Sequence, residues 1–204
     1  YRMEFFIPKS EAIFEEDIKK SRYITYLRHK EGMEQSKELL AEMKALHPSA
    51  RHWCWATVAG MPTDSQQYGF SDDGEPSGTA GKPMLSYLLG SGLGEITAVV
   101  VRYYGGILLG TGGLVKAYGN GVQQALLKLE TARKVLRENY RLQCEYEQFN
   151  TISHLLQDWD IEILEQQFSE KIVLRWAVNP AQVEQIQDSL TQRFAGRLVL
   201  EKEE

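Results

Sequence analysis

The chain has 204 residues and a formal net charge of −5, with 43% hydrophobic and 25% charged residues. This size suits one large or two small domains of an ordinary globular protein. No apolar run approaches the roughly 18 residues needed to cross a bilayer. The acidic balance argues against a protein that binds nucleic acid without regard to sequence.

The charge is unevenly distributed. Residues 1–134 contain 16 Lys and Arg against 15 Asp and Glu, whereas residues 135–204 contain 7 against 13. The acidity therefore lies in the last third. The nearly balanced charge of residues 1–134 still allows a local basic patch there. Cys54 and Cys144 are too few for a disulfide framework or a cysteine-built zinc site. Because the N-terminal residues also lack the pattern of a secretory signal, we expect a cytoplasmic protein.

The first part of the chain alternates between strand-like and helix-like patterns, with glycine and proline between them. The predicted elements are strands up to Tyr23–Leu27, a helix at Glu31–Leu46, a strand at His52–Ala59, a long loop at 60–83, a helix at Met84–Leu89, a strand at Glu95–Tyr103 and a helix at Leu114–Leu129.

The second part has a simpler pattern after a charged segment, Thr131–Glu138, that we interpret as a linker. Its order of elements is βαββαβ, which is typical of a ferredoxin-like domain. The sequence therefore predicts an α+β protein with domains at 1–134 and 135–204. The predicted elements are a strand at Tyr140–Tyr146, a helix at Phe149–Trp159, strands at Ile161–Phe168 and Lys171–Val178, a helix at Ala181–Phe194 and a strand at 196–203.

The segment RYYGGILLGTGGLVKAYG, residues 102–119, is unusually rich in glycine. Arg102 ends a buried strand, so its guanidinium is expected to emerge at a sheet edge or loop mouth. Gly105 and Gly106 allow another group to approach the backbone, and the glycines at 110–113 lead into a helix whose free N–H groups can bind an anion. The segment is either a phosphate pocket that includes Arg102 and Lys116 or a tight connection whose glycines relieve steric crowding.

The segment Ser71–Glu75 brings three carboxylates close together in sequence. They can hold Mg²⁺, cap a helix or pair with Arg102. His52, at the start of a strand, is either a base or ligand or a hydrogen-bonded structural group. The phosphate-loop and dinucleotide fingerprints do not fit the glycine clusters, and the chain lacks the common nucleophile motifs.

The segment Gly90–Gly110, GSGLGEITAVVVRYYGGILLG, resembles the signature of the IMPACT family, also called the YigZ family. His52 and the segment from Asp72 to Gly81 resemble the other marks of that family, and the resemblance covers the whole chain. It implies a first domain similar to domain IV of elongation factor G and to the second-domain fold of a small-subunit ribosomal protein. The second domain then resembles domain V of the same factor.

The resemblance implies a non-enzymatic binding protein that regulates translation by contacting the ribosome, RNA or a translation-associated protein. No cofactor, metal, membrane or specific DNA is expected, and no catalytic residue is assigned. The alternative is an enzyme that acts on a phosphorylated or nucleotide substrate in a cleft around Arg102 and the nearby carboxylates. The candidate binding residues are His52, Asp72, Asp73, Glu75, Gly81, Lys82, Arg102, Tyr103, Tyr104, Gly105, Gly106 and Lys116.

Overall fold

The computed structural model describes residues 4–195 and 197–204. The chain divides into two compact units, Phe5–Lys134 and Val135–Glu204, the second of which also includes Glu4. Both contain helices and antiparallel sheets, which confirms the predicted α+β class. No helix in the described residues is long and apolar enough to cross a membrane.

A five-stranded antiparallel sheet organises the first unit, with strand order β2-β3-β6-β4-β5. The strands β1 and β7 pair separately. The elements from Glu4 to Val135 are β1 (Glu4–Pro8), β2 (Ala12–Ile18), β3 (Ser21–His29), α1 (Met33–Leu46), β4 (His52–Val58), β5 (Tyr68–Ser71), α2 (Gly81–Ser91), β6 (Ile96–Tyr103), α3 (Gly110–Lys128) and β7 (Thr131–Val135).

Strand β6 lies in the middle of this sheet and is buried on both faces, as its continuous apolar run predicts. Ala98 and Val100 belong to the core beneath α2 and α3. Val99 and Val101 belong to the core beneath α1, on the opposite face. Because side chains alternate along a strand, the residues that end β6 also point to opposite faces, and this separates the candidate site residues.

Two of the connecting segments differ from their predictions. The supposed loop at 60–83 contains the edge strand β5, which is only four residues long and includes Gly69, so its strand pattern is weak. The supposed linker at Thr131–Glu138 contains β7, and β8 begins at its last residue. Short edge strands are recognised by their pairing with a neighbour, and local sequence carries little of that information.

The second unit has the predicted order of strand, helix, strand, strand, helix, strand. Its antiparallel sheet has strand order β11-β8-β10-β9, and its core includes Ile152, Trp176 and Ile186. The predicted strand at 196–203 is limited to two residues, and Gly196 lies outside the described residues. The elements are β8 (Glu138–Cys144), α4 (Tyr146–Leu155), β9 (Ile161–Phe168), β10 (Ile172–Val178), α5 (Val183–Phe194) and β11 (Glu201–Lys202).

Candidate functional site

Arg102, at the end of β6, is the centre of a buried polar network. Its Nη1 donates to both carboxylate oxygens of Glu75, at 2.7 and 3.0 Å, and its Nη2 donates to Ser21 Oγ at 3.3 Å. Arg102 is 4% exposed and Glu75 is 8% exposed. Arg102 does line a cleft, as an arginine at a sheet edge or loop mouth would, but its guanidinium is almost fully buried because it pairs with Glu75.

The network extends to the tyrosines that surround this ion pair. Tyr118, on α3, donates its hydroxyl to Glu75 Oε2. Burial, reinforced by Cys54 and Glu75, raises the pKa of Tyr118, so the phenol stays protonated as a donor. Burial also raises the pKa of Tyr23 to about 12, although Arg102 opposes this rise. The Arg102 guanidinium lies 5.3 Å from the centre of the Tyr23 ring, which adds a cation–π contact.

The ion pair determines the state of Arg102 itself. Burial alone lowers the pKa of an arginine, but the hydrogen bonds to Glu75, together with the electrostatic effects of Tyr23, Glu75 and Tyr118, outweigh burial and raise the pKa of Arg102. His52 completes the ring of contacts, because its Nε2 lies 3.3 Å from Glu75 Oε1. Its Nδ1 lies 2.7 Å from the carbonyl oxygen of Asp73 and donates to it. His52 thus has two partners within the protein.

Asp72 and Asp73 have structural partners of a different kind. Asp72 Oδ1 accepts from the backbone N–H groups of Ala80 and Gly81, at 3.1 and 2.9 Å, and its Oδ2 accepts from Gly78 N at 2.9 Å. Burial favours a higher pKa for Asp72, but these three donors lower it. Asp73 Oδ2 accepts from Trp53 N at 2.8 Å. Of the alternatives for these carboxylates, the structure supports helix capping and ion pairing.

The capping by Asp72 also explains why α2 begins at Gly81 rather than Met84. The residue that caps this helix lies upstream on the far side of a turn, so the helix start carries no adjacent capping signal. Among the described residues, no group of three or more His, Cys, Asp or Glu side chains is arranged to hold a metal ion.

The glycines after Arg102 have a measurable steric role. A Cβ at Gly105 would lie 2.1 Å from the carbonyl oxygen of Lys20, and Gly105 N donates to Ser21 Oγ at 3.1 Å. Gly106 has a φ of 88°, a conformation that favours glycine. The segment therefore packs the β6–α3 connection directly against the turn between β2 and β3.

A cleft of about 370 Å³ opens beside this network. Two cations contact the Tyr104 ring there, with the guanidinium carbons of Arg51 and Arg102 at 5.0 and 5.3 Å from its centre. Helix α3 begins at Gly110, rather than at the predicted Leu114, and its N-cap residue, Leu109, forms no capping hydrogen bond through its side chain within the described residues. The cleft lining includes Arg51, His52, Glu75, Pro76, Arg102, Tyr104, Leu108, Leu109, Gly110, Thr111 and Leu114.

Four of the twelve predicted site residues line this cleft, and Tyr103, Lys82 and Lys116 are among those that do not. Tyr103 packs on the α1 side of the sheet, where its hydroxyl lies 2.7 Å from His47 Nδ1. Lys82 and Lys116 line a separate groove of about 860 Å³. The structure thus brings together His52, Glu75, Arg102 and Tyr104 and separates them from both lysines.

Comparison with known proteins identifies the family. Residues 19–126 match the model of the Impact N-terminal domain, and residues 142–197 match a domain of unknown function, DUF1949. The chain belongs to the IMPACT family. It is 57% identical to an IMPACT family member of Haemophilus influenzae over 97% of this chain and 96% of that protein. It is 55% identical to IMPACT family member YigZ of Escherichia coli over 95% of each chain.

Two further comparisons extend the IMPACT-family match. A relative from Bacillus subtilis, IMPACT family member YvyE, is 32% identical over 95% of this chain and 88% of its own length. A crystal structure described as that of a hypothetical protein is 53% identical, with a TM-score of 0.73, and covers 100% of this chain and 99% of that one. Both matches include the second unit, so the relatives share more than the Impact N-terminal domain.

The sequence interpretation missed several residues that shape the site of this IMPACT-family chain. Arg51 directly precedes His52, so its position at the strand start offered a signal. Tyr118 offered no such signal, because it recurs with the apolar residues of α3 at helical spacing, as an ordinary core residue does. Ser21 and Lys20 belong to a turn that is distant in sequence. Their place beside the site follows only from the structure, in which Gly105 packs against both residues.

Proposed function

We propose that this chain is a non-enzymatic binding protein that acts in the regulation of translation in the cytoplasm, by contacting the ribosome, RNA or a translation-associated protein. One observation carries the proposal. The acidic residues of the candidate site are bound within the fold, whereas Arg51, the exposed cation of the cleft, has no acidic partner in the described part of the chain. This distribution suits recognition of an anionic partner.

The enzyme hypothesis requires a carboxylate or histidine that can act on a substrate. Glu75 is held by Arg102 and Tyr118, and Asp72 is held by backbone donors at the start of α2. Moving either one toward a substrate would leave a buried charge or several helix donors without a partner, which is costly. These contacts count against general acid–base catalysis by this set.

Arg51 is the clearest candidate for partner contact in the cleft. It is exposed, and its guanidinium is held over the Tyr104 ring rather than against a carboxylate. An arginine placed in this way keeps its hydrogen-bond donors available and loses little conformational entropy on binding. The start of α3 adds backbone N–H groups at the same cleft.

Translation as the setting rests on the family and on fold analogy. The resemblance of the two domains to domains IV and V of elongation factor G supports a role near ribosomal RNA. The free, buried Cys54 and Cys144 are compatible with a reducing compartment.

Co-sedimentation with ribosomal particles tests this proposal. The full chain is added to lysate at low and high salt and compared with Arg51→Glu and with the control Lys37→Glu, which changes an exposed residue on α1. We expect salt-sensitive sedimentation that Arg51→Glu weakens and Lys37→Glu preserves. Wild-type protein that stays at the top of the gradient at every salt concentration would overturn the translation setting of the proposal.

A further inference from the structure

A lysine-lined groove lies beside α2 and α3 and the turn between β2 and β3. Its volume is about 860 Å³, and it includes Lys19, Lys82 and Lys116. Leu109 lines both this groove and the cleft near Arg102, so the two openings flank the same loop. The groove shares no charged residue with the cleft. The buried network around Glu75 therefore does not explain why lysines line this groove.

The groove carries local positive charge on an acidic protein. All three lysines are exposed, and none forms an ion pair within the described ranges, 4–195 and 197–204. The lining includes one carboxylate, Glu16, which accepts a hydrogen bond from Asn120 Nδ2 at 2.9 Å. Three cations therefore face one anion that already has a partner.

The turn that supplies Lys19 is built against its local preference. Lys19 and Lys20 have φ values of 46° and 66°, and they join β2 to β3 as a two-residue turn. Such turns favour Asn-Gly because both positions need a positive φ. Two lysines here strain the backbone. The geometry of the turn does not explain lysine at these positions, whereas a role for the positive charge does.

An exposed aromatic side chain completes the groove. Tyr87, on α2, is 39% exposed. Its ring packs against α3 at Gly119, where a Cβ would lie 2.8 Å from Tyr87 Cε2. Aromatic side chains next to basic grooves provide surfaces on which bases of single-stranded nucleic acid stack. The glycine lets the ring lie close to the helix while part of it stays open to solvent.

We propose that this groove binds single-stranded RNA, with Lys19, Lys82 and Lys116 contacting phosphates and Tyr87 stacking on a base. The inference rests on the proposed function and specifies RNA as the partner at a site distinct from the Arg102 cleft. Lysine ammonium groups suit phosphates as point charges. The combination of unpaired lysines with an exposed ring favours RNA over an acidic protein segment, which would make no use of the ring for stacking.

Fluorescence anisotropy with a fluorescein-labelled oligouridylate tests the proposal on the full chain. Three phosphate contacts predict that log K falls with log salt with a slope of about −2, at roughly −0.7 for each contact. Lys82→Glu/Lys116→Glu should weaken binding at least about tenfold and flatten this slope. Lys37→Glu/Lys44→Glu makes the same charge change on α1, across the sheet, and should bind as wild type does.

Two more variants separate binding from folding. Lys19→Asn/Lys20→Gly should raise the urea midpoint because it relieves the strained turn, and it should weaken RNA binding because it removes a phosphate contact. Tyr87→Ala should weaken binding while leaving most of the salt dependence unchanged. A variant that is more stable than wild type and binds less RNA cannot owe its defect to unfolding.

The proposal is overturned if wild-type protein gives no anisotropy change at low salt, or if Lys82→Glu/Lys116→Glu binds as wild type does. It is also overturned if poly-L-glutamate binds as tightly as the oligouridylate and Tyr87→Ala has no effect, since the groove would then accept an acidic protein. Ribosome co-sedimentation that persists without oligouridylate binding would reject the groove assignment alone. RNA binding without co-sedimentation would reject the translation setting alone.

Discussion

Glu75 and Arg102 form a buried ion pair across 27 positions of sequence, with Arg102 Nη1 2.7 Å from Glu75 Oε2. The pair joins the loop after β5 to the end of the central strand β6. Tyr118 adds a hydroxyl donor from α3. Sheet, loop and helix thus meet at one carboxylate, and this arrangement determines what a mutation at the site will do.

Arg102→Ala should destabilise the protein by about 3–5 kcal/mol, because it leaves the Glu75 carboxylate buried without its cation. Urea unfolding followed by fluorescence measures this loss. The matched control is Lys37→Ala, which removes an exposed pair with Glu34 and should cost no more than about 0.5 kcal/mol. A loss of less than about 1 kcal/mol for Arg102→Ala would contradict the structural role of the pair.

Asp72→Asn should cost about 0.5–1.5 kcal/mol at neutral pH, because the amide keeps only one acceptor oxygen for the three backbone donors and a charge-assisted hydrogen bond is lost. Burial favours a higher pKa for Asp72, but the donors at Gly78, Ala80 and Gly81 lower it. The ionised carboxylate therefore stabilises the fold at pH values above its unfolded-chain pKa of about 3.9. This contribution is lost as the pH falls through the lower folded-state pKa.

Urea unfolding of the wild type and Asp72→Asn at a series of pH values tests this linkage. The difference between the two should be constant near neutral pH and shrink in acid. A difference that grows as the pH falls would show that the carboxylate is not stabilised in its ionised form.

Gly105→Ala should destabilise the protein by about 1–3 kcal/mol, because the added Cβ meets the Lys20 carbonyl and the backbone must shift. Gly112→Ala is the matched control in the same glycine-rich segment. A Cβ there meets no atom within 4 Å, and Gly112 lies within α3, so alanine should stabilise the helix by up to about 1 kcal/mol. Thermal unfolding of both variants distinguishes the two positions, and equal effects would contradict the packing role of Gly105.

The regular elements could be predicted because their signals are local. The apolar run of β6 and the helical spacing of α1 each identify an element without knowledge of its neighbours. Edge strand β5 could not be predicted with the same ease, because it depends on pairing with β4. The start of α2 likewise depends on Asp72, whose position opposite the helix is a property of the fold.

The candidate site was predicted only in part, for a related reason. Sequence indicated that Arg102 and the nearby carboxylates are special and included their pairing among the alternatives. It did not indicate that Arg102 is buried, since burial depends on Tyr118 and Ser21 from distant elements. Lys82 and Lys116 were grouped with Arg102 on charge alone, and the orientation of the helices places them in a separate groove.

We propose that Glu75 and Arg102 hold the fold together and that surface cations contact the partner. The most direct test measures the urea midpoint and ribosome co-sedimentation in parallel for Glu75→Gln and Arg51→Glu. For Glu75→Gln we expect a lower midpoint with co-sedimentation retained by the folded fraction, and for Arg51→Glu an unchanged midpoint with weakened co-sedimentation. Full stability with lost co-sedimentation in Glu75→Gln would contradict this proposal, because Glu75 would then act on a partner or substrate.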